Sequence, residues 1–153
     1  MKRAMTYSMA ALAMMAVAAC SSEPKVAAKT EPAKMVELAG VNLDQPLLVL
    51  GNEPFWSIRI ADGVASYSDP EMLEGPSAPV GQPQVMGNTA VWKANLSDQT
   101  PLIITLTGTD CSDGMSDRTY PLAAKVEMGQ RVLSGCAAST EAISRAGEAG
   151  RVE

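Results

Sequence analysis

The chain has 153 residues, with 12 basic and 17 acidic side chains, a formal charge of −5 and no histidine. The acidic balance argues against nucleic acid as a partner, because nucleic-acid binding requires a basic patch. The missing histidine excludes Ser-His-Asp and Cys-His catalysis and removes the commonest metal ligand. We therefore expect a non-catalytic protein that needs no metal and no cofactor.

The first 19 residues have the features of a secretory signal peptide. Lys2 and Arg3 give a positively charged start, and an apolar run follows from Met9 to Ala19. About 11 apolar residues are too few for the roughly 20 that a membrane-spanning helix needs. A charged start, a short apolar run and small residues before a cleavage point are typical of a signal that is removed.

The stretch Val17-Ala18-Ala19-Cys20 resembles the lipobox of bacterial lipoproteins. The resemblance implies that residues 1–19 are removed and that Cys20 is acylated, so that the partner reached through the amino terminus is a membrane. Ser21, rather than Asp, follows Cys20, which in this class of proteins implies an outer-membrane destination facing the periplasm. Several acyl chains would make the attachment effectively permanent, whereas a single chain anchors only marginally.

After the signal, the chain divides by composition into three parts. Residues 20–40 contain the lipidated Cys and a flexible tether rich in Ala, Pro, Lys and Glu, with a short amphipathic helix over 25–39 as the alternative. Residues 41–137 hold the β domain. Residues 138–153 lack an apolar stripe and are expected to be a flexible or weakly helical tail.

Apolar side chains in the β domain recur at every second position, which predicts strands. The predicted strands cover residues 47–50, 56–60, 64–68, 90–96, 102–107, 122–128 and 131–136, with a long surface loop over 69–83. Asp62-Gly63 is a hairpin signal. The fold class expected is all-β, a small antiparallel β-barrel or sandwich of about seven or eight strands with one disulfide.

Once Cys20 is acylated, Cys111 and Cys136 remain, in a compartment where thiols are oxidised. We expect them to form the disulfide, which would close a loop with 24 residues between the two cysteines. The alternative is a reactive or metal-binding thiol pair, which has neither a histidine nor a second cysteine pair to support it.

Gly51-Asn52-Glu53-Pro54-Phe55-Trp56 is the densest local motif. Pro54 lacks a backbone N–H, so a strand is expected to begin after it. Trp56 then faces the core and Phe55 the opposite side. Phe55 is interpreted as a plug over the end of the β domain, with an exposed binding contact beside Glu53 as the alternative.

The second motif runs from Asp110 to Pro121 and contains Asp113, Met115, Asp117 and Arg118. Its aspartates suggest calcium, but their spacing departs from that of an EF-hand loop. Turn formation through Asp and Ser side chains is the preferred interpretation, with Arg118 as an ionic partner of Asp113 or Asp117. A paired-carboxylate hydrolase site made with Glu53 is a further alternative.

The motifs at 51–56 and 111–121, with Gly135-Cys136-Ala137, resemble an uncharacterised family of bacterial envelope lipoproteins. Size and β pattern are also similar to META/HslJ-like domains and membrane-bound lysozyme inhibitors. These resemblances imply a binding or envelope-maintenance role towards an envelope protein or small ligand, with inhibition of a lysozyme-like hydrolase as the first alternative. The candidate binding surface comprises Glu53, Phe55, Asp113, Met115, Asp117 and Arg118.

Overall fold

The computed structural model describes residues 35–153, which form short and long β-strands and one helix. The predicted signal peptide, the acylated Cys20 and most of the predicted tether lie outside the described residues. The strands are β1 (Glu37–Leu38), β2 (Val41–Asn42), β3 (Leu47–Asn52), β4 (Phe55–Ala61), β5 (Val64–Ser68), β6 (Ser77–Pro79), β7 (Gln84–Met86), β8 (Thr89–Asn95), β9 (Pro101–Cys111), β10 (Asp117–Met128), β11 (Arg131–Ser139) and β12 (Ala149–Arg151). Helix α1 covers Thr140–Arg145.

One large sheet has the strand order β6-β5-β4-β3-β11-β10-β9-β8-β7, and all neighbours on this path are antiparallel. The terminal strands β6 and β7 do not pair, so the sheet is open and sandwich-like rather than a closed barrel. The amide of Ser97, just after β8, donates to the carbonyl of Ser77 in β6 at 2.9 Å. The sheet therefore curls until β6 at one end reaches the segment that follows β8.

The predicted all-β antiparallel fold with one disulfide is confirmed. All seven predicted strands are present, as β3, β4, β5, β8, β9, β10 and β11. The turn between β4 and β5 is Asp62-Gly63, where both residues have positive φ angles of 52° and 74°. The additional strands have only two or three residues each, too few for an alternating pattern to be recognised.

Alternation along the strands places one apolar face in a continuous core. In β4, for example, Trp56, Ile58 and Ile60 are buried, while Phe55 and Arg59 on the opposite face are exposed. Burial of aliphatic and aromatic surface on this inner face is the main stabilising contribution. It also fixes the register, because a shift by one residue would expose the whole set.

A second, smaller apolar cluster lies on the opposite face of β10 and β11. It contains Tyr120, Cys136, Ala138, Ala142 and Val152. Helix α1 is capped by Ser139, whose side chain accepts a hydrogen bond from the Ala142 amide, and β12 runs parallel to β10. The C-terminal segment therefore covers part of the outer face of the sheet.

The prediction that residues 138–153 lack docking side chains is wrong. The weakly helical segment is present as α1, but β11 continues to Ser139 and Val152 is fully buried. The buried side chains of this segment, Ala138, Ala142 and Val152, are small and irregularly spaced, so they give no periodic signal although they dock the segment together with a short strand.

The boundary between tether and domain also differs from the expectation. Leu38 is buried in the main core, and the Leu43 amide donates to the carbonyl of Val36 at 2.7 Å. Residues 36–40 are thus part of the domain rather than of the tether. Within residues 35–153, no helix is long and apolar enough to cross a bilayer.

Candidate functional site

The predicted disulfide between Cys111 and Cys136 is confirmed, with 5.7 Å between the Cα atoms. Cys136 is fully buried in the outer-face cluster, whereas Cys111 lies at the end of β9. The bond therefore holds the start of the β9–β10 loop against β11. This fixes where the loop residues 112–116 lie on the surface.

Asp113 organises that loop. Its carboxylate accepts hydrogen bonds from the Met115 and Ser116 amides at 3.0 and 2.9 Å, from the Ser116 hydroxyl at 2.8 Å and from the Tyr120 hydroxyl at 3.2 Å. Partial burial by itself raises the pKa of Asp113, but the hydrogen bonds from Ser116, Met115 and Tyr120 outweigh it and hold the pKa below its ordinary value. The side chain thus has the turn-forming role that the sequence favoured.

The two sequence motifs meet beside this loop. Glu53 and Pro54 form the turn between β3 and β4, so β4 begins directly after Pro54 as predicted. The side-chain amide of Asn52 donates to the backbone carbonyl of Asp113. Although 61 positions separate these two residues, the turn and the loop are neighbours.

Between them lies a groove of about 640 Å³, here called the Glu53 groove. One side is formed by residues 51–54, a second by residues 111–115 and the third by residues 132–135 of β11. Met115 and Val132 border it with 67% and 60% of their surfaces exposed. Glu53 and Asp113 are the only charged side chains among its lining residues, and both are acidic.

Phe55 lies outside this groove. It is 52% exposed, so the prediction that it plugs the end of the domain is wrong. The ring borders an adjoining cavity of about 510 Å³ together with Tyr67, Asp69 and Arg131. The guanidinium of Arg131 donates to the Tyr67 hydroxyl at 3.2 Å, and the same hydroxyl donates to Asp69 at 3.0 Å.

Asp117 and Arg118 are not brought into the Glu53 groove. Arg118 donates from Nε to the carbonyl of Gly147 at 2.7 Å and lies 3.9 Å from Glu148. The expectation that Arg118 pairs with Asp113 or Asp117 is wrong. Its guanidinium instead contacts the C-terminal segment, which runs alongside β10. Asp117 is the first residue of β10 and lies opposite Ala149 of β12.

Sequence reasoning missed Asn52, Val132 and Ser134. Val132 belongs to a predicted strand, and nothing in the sequence around it shows that this part of the strand lacks a pairing partner on one side. Asn52 was part of a motif, but its contact with the Asp113 loop depends on the fold. Within the part of the chain that the structure describes, no three His, Cys, Asp or Glu side chains converge as a metal site would require.

Comparisons of the chain with protein-family models, with curated proteins and with solved structures find no match.

Proposed function

We propose that this chain is a lipid-anchored lipoprotein of the bacterial cell envelope, held at the outer membrane through Cys20 and facing the periplasm, that binds a partner at the Glu53 groove without catalysis. The observation that carries the binding role is the pair of exposed apolar side chains, Met115 and Val132, at the border of a groove containing Glu53. Exposed apolar groups around a concave site with a few polar groups are typical of interaction sites.

The state of Asp113 supports a non-catalytic role. A carboxylate pair that hydrolyses glycosides needs one acid with a raised pKa that is free to give its proton. Both oxygens of Asp113 instead accept hydrogen bonds from its own loop and from Tyr120, and its pKa is lowered. Asp113 is therefore not the proton donor of such a pair, and it could act as nucleophile or base only by giving up hydrogen bonds that hold its loop, so the hydrolase alternative built on Glu53 and Asp113 is the least supported.

A second candidate function, inhibition of a lysozyme-like hydrolase, is favoured by charge. Residues 35–153 hold 15 acidic and 7 basic side chains, a formal charge of −8. Such a surface complements a basic enzyme and speeds its encounter. Titration of a basic lysozyme with the chain at micromolar concentration tests this function, and undiminished hydrolysis would dismiss it.

The anchor is proposed on the sequence pattern around Cys20, and it can be tested separately. Changing Cys20→Ser should abolish incorporation of labelled fatty acid into the chain, because the thiol that would be acylated is lost. Mass spectrometry of the amino-terminal peptide should find residue 20 first and carrying fatty acid. An unmodified amino terminus that begins at Met1 would contradict the proposal.

Two methionine variants test the binding role. Met115→Ser removes an exposed thioether beside the groove, and Met86→Ser removes an equally exposed one (71%) on the remote edge strand β7. In capture experiments from envelope extract, a genuine partner should be retained by the wild type and by Met86→Ser but lost by Met115→Ser. Equal retention by both variants would contradict a binding role for this groove.

A further inference from the structure

The Glu53 groove lies where two neighbouring strands stop pairing. Strand β11 pairs with β3 from Ser139↔Leu47 to Cys136↔Leu50. Residues 131–135 of β11 still pair with β10, but they have no strand partner on the side of β3. The sheet therefore splits at this point, although both strands belong to its middle.

The ladder between β3 and β11 ends at Cys136↔Leu50, and proline explains why it does not reach Val132. Extending the register beyond Cys136↔Leu50 would place Pro54 opposite Val132. Pro54 has no N–H to donate, and the chain turns at Glu53-Pro54 to enter β4. Strand β3 therefore cannot supply a complete partner for Val132.

Two observations show that the backbone N–H and C=O of Val132 point into the gap. The hairpin between β10 and β11 has a two-residue turn closed by Met128 and Arg131, so Arg131, Leu133 and Gly135 bond to β10 and the residues between them face β3. Consistent with this alternation, the carbonyl oxygen of Ser134 lies 2.7 Å from the position of a Cβ on Gly51 of β3. Val132 has the same orientation as Ser134, because they are two residues apart.

An unpaired strand edge is a template for an extended peptide. The side chains around this edge indicate which peptide fits. Met115 and Val132 offer exposed apolar contacts, Glu53 and Asp113 supply negative charge, and no Lys or Arg lines the groove. Arg131 lies in the adjoining cavity, where it binds the Tyr67 hydroxyl.

We propose that the gap between the β3–β4 turn and residues 132–134 of β11 is a strand-addition site for an extended segment of a partner protein with alternating apolar and basic side chains. The backbone of the segment pairs with Val132, its apolar side chains contact Met115 and the Val132 side chain, and a Lys or Arg lies beside Glu53. This inference rests on the proposed binding function and specifies its mode.

The test uses the full chain in detergent, labelled with ¹⁵N, and the peptide acetyl-Val-Lys-Val-Lys-Val-amide. In the free protein the Val132 amide should exchange its hydrogen rapidly, and at saturating peptide the exchange should slow by about tenfold or more. The Gly81 amide lies in the exposed segment between β6 and β7, outside the groove, and should exchange rapidly at the same rate with and without peptide, so it is the internal control. The Leu133 amide, which bonds to β10, slows only as far as the peptide stabilises the whole fold.

Peptide variants separate backbone pairing from side-chain contacts. A version with N-methylated peptide bonds cannot donate to the Val132 carbonyl, and its methyl groups keep its own carbonyls from approaching the strand, so it should not protect the Val132 amide. A version with Glu in place of Lys should bind more weakly, because it meets Glu53 and Asp113. Equal binding of the N-methylated peptide, or binding of the Lys peptide without slower exchange at Val132, would overturn strand addition.

Protein variants test the role of charge. Glu53→Gln should weaken binding of the Lys peptide by about two- to fivefold, as for an exposed ion pair, and the effect should shrink as salt is added. Glu37→Gln removes an acidic group from β1, outside the groove, and should leave the affinity unchanged. Equal losses in both variants would mean that the overall charge, rather than Glu53, attracts the peptide.

Two further outcomes distinguish this inference from the function on which it rests. If Met115→Ser loses the captured partner but no peptide slows exchange at Val132, strand addition is wrong and the binding function stands. If the Val132 amide is already protected in the full chain without peptide, an earlier segment of the same chain occupies the edge, and the proposal of a separate partner is wrong.

Discussion

The indole of Trp56 lies directly over Gly51, its partner across β3 and β4, so that a Cβ on Gly51 would overlap with the indole nitrogen. Gly135 of β11 stands next to Gly51, and a Cβ there would lie 3.1 Å from the same indole and would overlap with the Leu50 carbonyl. Two glycines on adjacent strands therefore make the space that a large buried side chain fills. Trp56 connects the inner core with the start of the Glu53 groove.

We predict that Gly51→Ala lowers the free energy of unfolding by about 1–3 kcal/mol, because the added methyl group forces the indole or the backbone to move. Gly81→Ala is the matched control, since a Cβ there meets no atom within 4 Å and its expected change is within about 0.5 kcal/mol. Urea denaturation followed by Trp fluorescence measures both. Similar urea midpoints for the two variants would show that Gly51 and the Trp56 indole are not tightly packed.

Replacing the disulfide by Cys111→Ala and Cys136→Ala should destabilise the fold by about 3.5 kcal/mol, because the open loop regains entropy when the chain unfolds. Reductant should lower the urea midpoint of the wild type towards that of the double variant and leave the double variant unchanged. The variant should also lose ligand affinity at the Glu53 groove, since the bond holds the loop of residues 112–116 against β11. A wild-type midpoint that reductant does not change would contradict this.

Because of Asp113, the free energy of unfolding should decrease as the pH falls into the acid range. Its pKa in the folded state is lowered below the unfolded value of about 3.9, so its contribution is present above about pH 4 and is lost as the pH falls through the folded-state pKa. Asp113→Asn should therefore be less stable than the wild type at pH 6, and the difference should shrink towards pH 2. Urea midpoints at several pH values measure this.

The Asp113→Asn substitution should reduce, but not abolish, the loss of stability at acid pH. Asp98, which accepts hydrogen bonds from Thr100, and Asp110, which is paired with Arg151, also have lowered pKa values and act in the same direction. A difference between wild type and Asp113→Asn that stays constant from pH 6 to pH 2 would show that the charge on Asp113 is not what stabilises the loop.

Val152→Ala should lower the free energy of unfolding by about 2 kcal/mol. Its side chain is fully buried in a cluster with Tyr120 and Cys136, and its removal leaves a cavity under the C-terminal segment. Val132→Ala, which truncates an exposed Val in the neighbouring strand, should change stability by less than about 0.5 kcal/mol. Thermal or urea unfolding distinguishes the two, and an unaffected Val152→Ala would mean that the segment does not dock in solution.

Local patterns predicted what depends on neighbours in sequence. Alternation in residues such as Trp56, Ile58 and Ile60 identified a strand and its buried face, and Asp62-Gly63 identified its turn. Phe55 shows the limit of this reasoning, because its face was predicted correctly but what covers that face was not. Exposure depends on which other elements reach a surface, and a single strand carries no information about them.

By itself, the sequence predicted the all-β class, the seven longest strands and the disulfide, because alternation and turn residues are local properties and the expected acylation of Cys20 leaves two cysteines to pair. Only the tertiary structure decided that Asn52 reaches the Asp113 loop, that Val152 is buried and that β3 and β11 stop pairing after Leu50. These features depend on strand order and register, which result from packing the whole sheet at once. A groove formed where a ladder ends is therefore visible only after the strands are assembled.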